Sequence, residues 1–334
     1  ADLPMLEGTG WVLWSAFAAT LVAFVVMKGW AGKKVDPRGK VVLVTGCDSG
    51  FGYHLAQRLA RIGFNVFAAC LTQDGINDLN EKQKQLPSLQ PVRMDVTSDE
   101  DVQRILREMQ PTLGEAGGLY ALVNNAGISS GFLASWNSLD HYKRVMEVNF
   151  MGTCRCTLAF LPEIKRARGR ILIVSSVVAY LAGPGTSAYS STKHALQAFA
   201  DALRLEMSPW QVQVGTVNPS AHRTAMVDGV RGDAQRMWEA LPASVREEYG
   251  ADFMDRQFRQ VDQMMKFAGT AEQVVDTMAH MLVAARMPTR VVVGRDPLAF
   301  LTYFPPLGRL VMRLAMEGPA NPKLGAGRAG SSSD

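Results

Sequence analysis

The chain is poor in the residues that build metal centres and disulfide frameworks. Among its 334 residues there are four cysteines and five histidines. The cysteines have neither zinc-site nor disulfide spacing, and the histidines form no metal-ligand pattern. We therefore expect no metal, and we interpret the cysteines as reduced packing residues. They are Cys47, Cys70, Cys154 and Cys156.

Concentrated charge and internal repeats are also lacking. The net charge is +4, and no block of lysines and arginines is interleaved with aromatic residues. This composition argues against nucleic acid as a partner. A hydrophobic content of 47% with 20% charged residues is typical of a folded globular protein that carries an additional apolar segment.

That apolar segment is the uncharged run from Gly8 to Met27, GTGWVLWSAFAATLVAFVVM. At about 1.5 Å per residue it would span about 30 Å, the hydrocarbon thickness of a bilayer. Tryptophans lie near both ends, and lysines and arginines follow the run. We predict a transmembrane anchor over residues 8–28, with the catalytic part in the cytosol by the positive-inside rule. A signal peptide is the alternative, although no small-residue cleavage site follows cleanly.

From Gly39 onward, short β-branched runs alternate with amphipathic helical patterns, such as Ser98–Met109. The alternation predicts an α/β fold of the Rossmann type, a doubly wound parallel sheet in a single domain over residues 39–296. We expect strands at Lys40–Val44, Asn65–Leu71, Val92–Asp95, Ala121–Val123, Arg170–Ser175, Val212–Asn218 and Arg290–Val293.

Three further segments depart from this alternation. Residues 226–268 form a charged, largely helical insertion with several aromatic residues and methionines. Residues 297–317 are an apolar C-terminal segment that could dock on the domain or lie on a membrane surface. Residues 318–334 are rich in Gly, Pro, Ala and Ser, and we expect a disordered tail there.

The turn after the first strand reads TGCDSGFG, from Thr45 to Gly52. Small residues there let the backbone approach a pyrophosphate, and the following helix N-terminus supplies free N–H groups. The turn therefore predicts dinucleotide binding. At the end of the second strand, where the adenosine ribose is usually read, Cys70 stands in place of an acid or a base. Because Asp48 adds negative charge nearby, which would repel a 2′-phosphate, we favour NAD over NADP.

Tyr189 and Lys193 are four residues apart on a predicted helix and therefore share one face. An ammonium beside a phenol favours the phenolate and would lower the tyrosine pKa from about 10, as a general acid/base for an alcohol requires. Ser176, 13 residues before Tyr189, could bond the substrate oxygen. The motif NNAG after the fourth strand, Asn124 to Gly127, could bond backbone or cofactor.

In order and spacing, these motifs resemble the short-chain dehydrogenase/reductase family, most strongly from Lys40 to Thr224. The resemblance implies hydride transfer between an alcohol and a nicotinamide cofactor, with a catalytic tetrad of Asn149, Ser176, Tyr189 and Lys193. Lys193 would also bond the nicotinamide ribose, and Asn149 would hold a water. Pro219 to Thr224 takes the place of the family's PGxxxT motif, with Ser220 where Gly is usual. The predicted cofactor-binding residues are Thr45, Gly46, Asp48, Ser49, Gly50, Phe51, Gly52, Cys70, Asp95, Val96, Asn125, Ala126, Gly127, Tyr189, Lys193, Pro219 and Thr224.

More narrowly, the segments GCDSGFG, AACLT and RMWEALPASVREEYG resemble one branch of the family. This branch holds membrane-associated retinol dehydrogenases, 17β- and 3α-hydroxysteroid dehydrogenases and the mitochondrial 3-hydroxybutyrate dehydrogenase. There, the insertion at 226–268 would be a lid over the substrate, and its apolar residues suit a lipophilic alcohol. Two alternatives stay open. One is (R)-3-hydroxybutyrate as substrate, with Arg223 on its carboxylate; the other is a cofactor-binding scaffold without turnover.

The anchor implies membrane lipid as a partner. We expect the endoplasmic reticulum membrane, with a mitochondrial membrane as the alternative. The resemblance also implies a homodimer or homotetramer that forms through the helices at Asp140–Leu161 and Ser187–Met207. His222 follows the Pro219-Ser220 turn and could contact substrate.

Overall fold

A computed structural model describes residues 32–222, 225–294, 299, 301 and 302. The predicted anchor at 8–28, Arg223, Thr224, the tail and almost all of the apolar C-terminal segment lie outside the described residues. Within the described part of the chain, no helix is long and apolar enough to cross a bilayer.

Seven parallel strands form one sheet, which confirms the predicted α/β fold. The strand order is β3-β2-β1-β4-β5-β6-β7, so the winding direction reverses between β1 and β4. A ligand crevice opens at such a reversal, beyond the carboxyl ends of the strands. The strands are β1 (Val41–Thr45), β2 (Asn65–Cys70), β3 (Leu89–Arg93), β4 (Leu119–Asn124), β5 (Arg170–Val174), β6 (Gln213–Pro219) and β7 (Arg290–Val293).

Helices connect the strands and cover both faces of the sheet. They are α1 (Gly50–Arg61), α2 (Gln73–Gln83), α3 (Asp99–Ala116), α4 (Leu139–Met146), α5 (Gly152–Arg166), α6 (Ser187–Met207), α7 (Ala225–Ala240), α8 (Ala243–Tyr249), α9 (Phe253–Met265) and α10 (Ala271–Val283). A π-helical turn, Glu147–Met151, joins α4 to α5.

The side chains of β1 divide the core into two layers, because successive strand residues point to opposite faces. Val42 and Val44 belong to the layer that includes buried residues of α1, α2 and α10. Val41 and Leu43 belong to the other layer, with buried residues of α3, α5 and α6. Every residue of β1 is buried, so the predicted uninterrupted apolar run reflects a strand that is covered on both faces.

Most strands differ from their predicted bounds by only one or two residues at an end, and two elements differ more. Strand β3 covers Leu89–Arg93 and ends before Asp95, whereas the sequence favoured Val92–Asp95. Pro91 is tolerated because β3 is an edge strand. The single helix predicted over Asp140–Leu161 is divided by the π turn.

The insertion folds into α7, α8 and α9, and its aromatic residues form a small core of their own. Phe253 is 3% exposed and packs against Trp238 and Tyr249, with ring centroids 5.9 and 4.9 Å away. Trp136, from the loop after β4, joins the cluster, with its ring centroid 5.6 Å from that of Trp238. These rings therefore tie the insertion to the loop after β4.

The two ends of the insertion meet at its base. The N–H of Gly269 donates a hydrogen bond to the carbonyl of Ala221 at 2.9 Å, and His222 pairs with Gly269 in an isolated parallel bridge. The two ends of the insertion therefore lie side by side, just beyond the carboxyl end of β6.

Candidate active site

The glycine turn lies between the carboxyl ends of β1 and β4, where the sheet reverses its winding. Gly46 has a φ of +69°, and a Cβ there would lie 2.7 Å from the Cα of Ala126. A Cβ on Gly52 would collide with the carbonyl oxygen of Gly46 and the side-chain amide of Asn125. Gly50, with a φ of +61°, faces open space. The turn thus requires glycine at positions 46 and 52 for close packing. The open space at Gly50 leaves room for a dinucleotide phosphate.

Thr45 and Asn125 hold the turn in place. The Asn125 side-chain amide donates to the carbonyls of Thr45 and Gly46, both at 2.9 Å. The hydroxyl oxygen of Thr45 accepts the N–H groups of Asn125 and Ala126, both at 3.0 Å. Both residues, which the sequence placed in the cofactor site, therefore brace the backbone that would carry the phosphates.

The carboxylate of Asp48 lies at the end of β2. It accepts the N–H groups of Leu71 and Thr72 at 2.9 and 2.8 Å, and the Thr72 hydroxyl at 2.7 Å. Cys70 ends β2 as predicted, but its side chain is fully enclosed, and burial raises the pKa of its thiol to about 12. An acid from the glycine turn therefore lies at the end of β2, and the Cys70 side chain faces the core.

Asp95 and Val96 follow β3 at the same edge of the sheet. Asp95 accepts the Thr97 N–H and hydroxyl at 2.8 and 2.7 Å, which fixes the turn into α3. Val96 is 8% exposed and packs against Gly152. A Cβ on Gly152 would lie only 2.8 Å from the Cγ2 of Val96. Ser49 precedes α1 as its N-cap, and Phe51 lies in the first turn of that helix.

Tyr189, Lys193 and Ser176 come together at the carboxyl end of β5. The Lys193 ammonium lies 5.3 Å from the centroid of the Tyr189 ring and donates to the Val174 carbonyl at 2.9 Å. The Ser176 hydroxyl lies near enough to the Tyr189 hydroxyl to lower the pKa of Tyr189. The Ser176 hydroxyl also lies 3.4 Å from the Pro219 carbonyl and 3.3 Å from the Val178 N–H. The predicted pairing of Tyr189 with Lys193 on one helix face is therefore observed.

The prediction that the Tyr189 pKa is lowered is wrong for the protein without cofactor or substrate. Burial raises the pKa of Tyr189 to about 12, and the hydrogen bond from Ser176 opposes that rise. Burial also lowers the pKa of Lys193 to about 8. Desolvation disfavours the charged form of both groups.

Asn149 lies in the π turn and is completely buried. Its side chain accepts the Ile128 N–H at 2.7 Å and donates to the Ile128 carbonyl at 2.9 Å and the Thr192 hydroxyl at 3.0 Å. A Cβ on Gly127 would lie 3.2 Å from Asn149 Oδ1 and 3.7 Å from Lys193 Nζ. Asn149 thus links the NNAG loop to the helix that carries Tyr189 and Lys193. The sequence did not predict Ile128 and Thr192 as partners of Asn149. The orientation of Asn149 depends on the π turn, which leaves no signal in a 3.6-residue pattern.

Pro219 ends β6 beside Ser176, as the motif order predicted. His222 is 3% exposed, and its ring packs edge-on against Phe51 at 5.9 Å. A Cβ on Gly269 would lie 2.7 Å from His222 Nε2. The buried imidazole therefore joins the cofactor turn to the base of the insertion.

A cavity of about 580 Å³ lies between the loop after β4, helix α4 and helix α7. Ile128, whose backbone bonds Asn149, forms part of its wall. Met237 of the insertion lines this cavity, while Trp238, Tyr249 and Phe253 of the insertion pack against one another. The described residues that line the cavity are Ile128, Ser129, Ser130, Gly131, Trp136, Ser138, His141, Arg144, Asp233, Arg236 and Met237.

Comparison with known proteins agrees with this geometry. Residues 40–235 match the short chain dehydrogenase family. The chain belongs to that family, whose oxidoreductases use nicotinamide cofactors. The braced glycine turn, open above Gly50, fits such a cofactor.

Named relatives fall in the predicted branch. The mitochondrial D-beta-hydroxybutyrate dehydrogenase of Rattus norvegicus is 37% identical over 75% of this chain and 76% of its own length. The 17-beta-hydroxysteroid dehydrogenase type 6 of Bos taurus is 34% identical over 91% of this chain and 95% of its own. Retinol dehydrogenase 5 of Mus musculus is 36% identical over 76% of this chain and 80% of its own length. A crystal structure of a short-chain dehydrogenase from Streptomyces avermitilis, 25% identical, covers 83% of this chain and 94% of its own with a TM-score of 0.65.

Proposed function

We propose that the chain is an NAD-dependent dehydrogenase that interconverts a lipophilic alcohol and its carbonyl. The observation that carries the proposal is the cluster of Tyr189 with the buried Ser176 and Lys193, next to a glycine turn that leaves room for a dinucleotide. Bound NAD would supply the hydride acceptor. A binding scaffold without turnover would have no need for a phenol, a hydroxyl and an ammonium in one desolvated site.

In this mechanism Tyr189 exchanges the proton of the substrate hydroxyl. During oxidation its phenolate takes the proton, and during reduction its phenol returns it. Ser176, whose hydroxyl lies beside that of Tyr189, orients the substrate oxygen and stabilises charge that develops on it. The ammonium of Lys193, 5.3 Å from the Tyr189 ring, favours the phenolate against the effect of burial. Asn149 positions the NNAG loop beside Lys193.

The preference for NAD over NADP rests on Asp48. Its carboxylate lies at the end of β2, held by Leu71 and Thr72, and would repel a 2′-phosphate on the adenosine ribose. Initial rates with NAD⁺ and NADP⁺ at equal concentration test this preference. Faster turnover with NADP⁺ would contradict it.

The choice of a lipophilic alcohol rests on the relatives and on the size of the cavity. Relatives are named for a 17-beta-hydroxysteroid, for retinol and for D-beta-hydroxybutyrate. A volume of about 580 Å³ suits a ligand of drug size better than a four-carbon hydroxy acid. The insertion α7–α9 forms one side of this cavity, so we propose that it acts as the substrate lid.

Membrane attachment and self-association complete the proposal. The uncharged run before Lys28 would anchor the enzyme in the endoplasmic reticulum membrane, with a mitochondrial membrane as the alternative. The catalytic domain would face the cytosol. Leu139, Leu158 and Leu205 are 78%, 64% and 77% exposed on α4, α5 and α6, and these apolar side chains favour a dimer or tetramer through those helices.

The test is NADH formation by the purified full-length chain with all-trans-retinol, estradiol and (R)-3-hydroxybutyrate. We expect turnover of retinol or estradiol. Turnover of (R)-3-hydroxybutyrate alone would support the alternative substrate. NAD binding with no turnover of any of the three would favour the scaffold.

A further inference from the structure

The cavity between the loop after β4, α4 and α7 adjoins the proposed catalytic group. Ile128 lines it, and the preceding residue, Gly127, lies directly against Lys193 and Asn149. Asn149 also bonds the hydroxyl of Thr192, which donates to the carbonyl of Tyr189 at 2.8 Å. A substrate with its alcohol at Tyr189 would therefore extend past Ile128 into this cavity.

The far wall of the cavity carries positive charge. Arg144 from α4 and Arg236 from α7 both line it, and Asp233 is the one acid among the described lining residues. Asp233 is paired with Arg236, three residues along the same helix. Arg144 has no acidic partner in the described part of the chain, so one cationic charge in the wall is unbalanced.

The remaining lining is also largely polar. Ser129, Ser130 and Ser138 contribute hydroxyls, and the Ser130 hydroxyl lies 3.4 Å from His141 Nε2. The large rings of the insertion pack in the cluster around Trp136. Beside Ile128, the large apolar side chains that line the cavity are therefore Trp136 and Met237. A wholly apolar substrate would leave the Arg144 guanidinium without an anionic partner in the cavity.

We propose that the distal end of the substrate is anionic and is bound by Arg144, with Arg236 as a second cation. The inference rests on the proposed function, which it narrows to amphipathic alcohols with a carboxylate or sulfate remote from the reacting hydroxyl. A planar guanidinium can bind either group with two parallel hydrogen bonds. The lid contributes Arg236 and the core domain contributes Arg144, so an anion between them would also draw the lid onto the domain.

The test compares two probes with the same reacting alcohol, lithocholate and lithocholate methyl ester, on the full-length protein in one detergent. We expect kcat/KM for the acid to exceed that for the ester by about 2- to 5-fold, as an exposed charge pair allows. In Arg144→Ala that advantage is lost, and in Arg144→Glu it reverses. Lys143→Ala is the matched control, since Lys143 is an exposed cation on the same helix that does not line the cavity; the advantage persists there.

The outcomes separate this inference from the proposed function. Equal kcat/KM for acid and ester, unchanged in Arg144→Ala, overturns the inference and leaves the dehydrogenase activity established. If neither probe is oxidised, the retinol and estradiol assays still judge the proposed function, and calorimetric binding of lithocholate judges the inference alone. Binding weakened in Arg144→Ala but not in Lys143→Ala supports it, and equal affinity in all three proteins overturns it.

Discussion

The ammonium of Lys193 lies 5.3 Å from the centroid of the Tyr189 ring, one helical turn away on α6. It is held there by the carbonyl of Val174 at 2.9 Å, at the carboxyl end of β5. Lys193 is 4% exposed, so its charge is placed in the protein at a cost in desolvation free energy. A structural lysine would rarely be placed this way without a function for its charge, and the pair therefore invites direct tests.

Replacing Lys193 with methionine should change stability in a pH-dependent way. Burial lowers the pKa of Lys193 to about 8 in the folded state, from its ordinary value of 10.5, so burial of the ammonium destabilises the fold by about 3 kcal/mol below pH 8. That cost disappears as the pH rises from about 8 to 10.5, because the unfolded chain then binds more protons than the folded one. The stability of Lys193→Met relative to wild type should therefore fall by about 3 kcal/mol over this range.

Urea denaturation between pH 7 and 10 measures the effect. The loss of the hydrogen bond to Val174 offsets part of the gain, but this offset does not depend on pH. Lys143→Met, at an exposed position, is the control and should show a constant difference from wild type. A constant difference for Lys193→Met as well would mean that Lys193 is not desolvated.

Replacing Ser176 with alanine should displace the pH profile of alcohol oxidation to higher pH. The Ser176 hydrogen bond lowers the pKa of Tyr189, which burial has raised to about 12, so its removal leaves the phenolate rarer still. At pH 7 we expect kcat/KM for oxidation to fall about 100-fold. Ser175→Ala is the control, because the Ser175 hydroxyl donates to the Lys193 carbonyl and its loss should not move the profile. An unshifted profile in Ser176→Ala would remove Ser176 from the mechanism.

Replacing Gly52 with alanine should disrupt the cofactor turn. The added methyl would collide with the Gly46 carbonyl and with the Asn125 amide that bonds it. We expect about 1–3 kcal/mol of lost stability and at least about 10-fold weaker NAD binding. Gly114→Ala in α3, with open space around the new methyl, should instead be neutral or stabilise by up to about 1 kcal/mol. Calorimetry with NAD tests both, and unchanged affinity in Gly52→Ala would show that the turn is not the phosphate site.

Replacing Phe253 with alanine should loosen the insertion without affecting the cofactor turn. Phe253 packs against Trp136, Trp238 and Tyr249, and its loss should cost the cluster about 3 kcal/mol. We expect faster amide hydrogen exchange over residues 225–265 and a higher substrate KM, with NAD affinity unchanged. Phe267→Ala, at a position 65% exposed, should change stability by no more than about 0.5 kcal/mol. Exchange that is unchanged in Phe253→Ala would contradict a separate aromatic core.

The sequence was most informative where a single physical pattern decides the outcome. The run Lys40–Val44 followed by glycines predicted both the first strand and the cofactor turn, since burial on both faces and close backbone approach leave few alternatives. The spacing of Tyr189 and Lys193 predicted their shared helix face, because residues four apart lie on one side of a helix. Strand β3 was shifted, because Pro91 is acceptable only at a sheet edge and the sequence does not show which strand is the edge.

Properties that depend on tertiary packing could not be predicted. Helical spacing placed an ammonium beside the Tyr189 phenol, but the depth of the site, which raises the phenol pKa, follows from how the sheet, α6 and the loop after β4 pack. The aromatic residues of the insertion looked like pocket lining, and only the fold shows that Phe253 and Trp238 pack on each other. For the same reason Arg144 and Arg236, 92 residues apart in the chain, carried no signal as partners in one cavity.

The most direct test of the whole account is the rate of NADH formation by Tyr189→Phe, measured with the substrate that wild type oxidises fastest. Phenylalanine keeps the ring beside Lys193 and removes only the hydroxyl that exchanges the proton. We predict a rate at least about 10³-fold below wild type, with NAD affinity unchanged, because the cofactor turn is untouched. Near-normal turnover in Tyr189→Phe would contradict the assignment of Tyr189 as the acid/base.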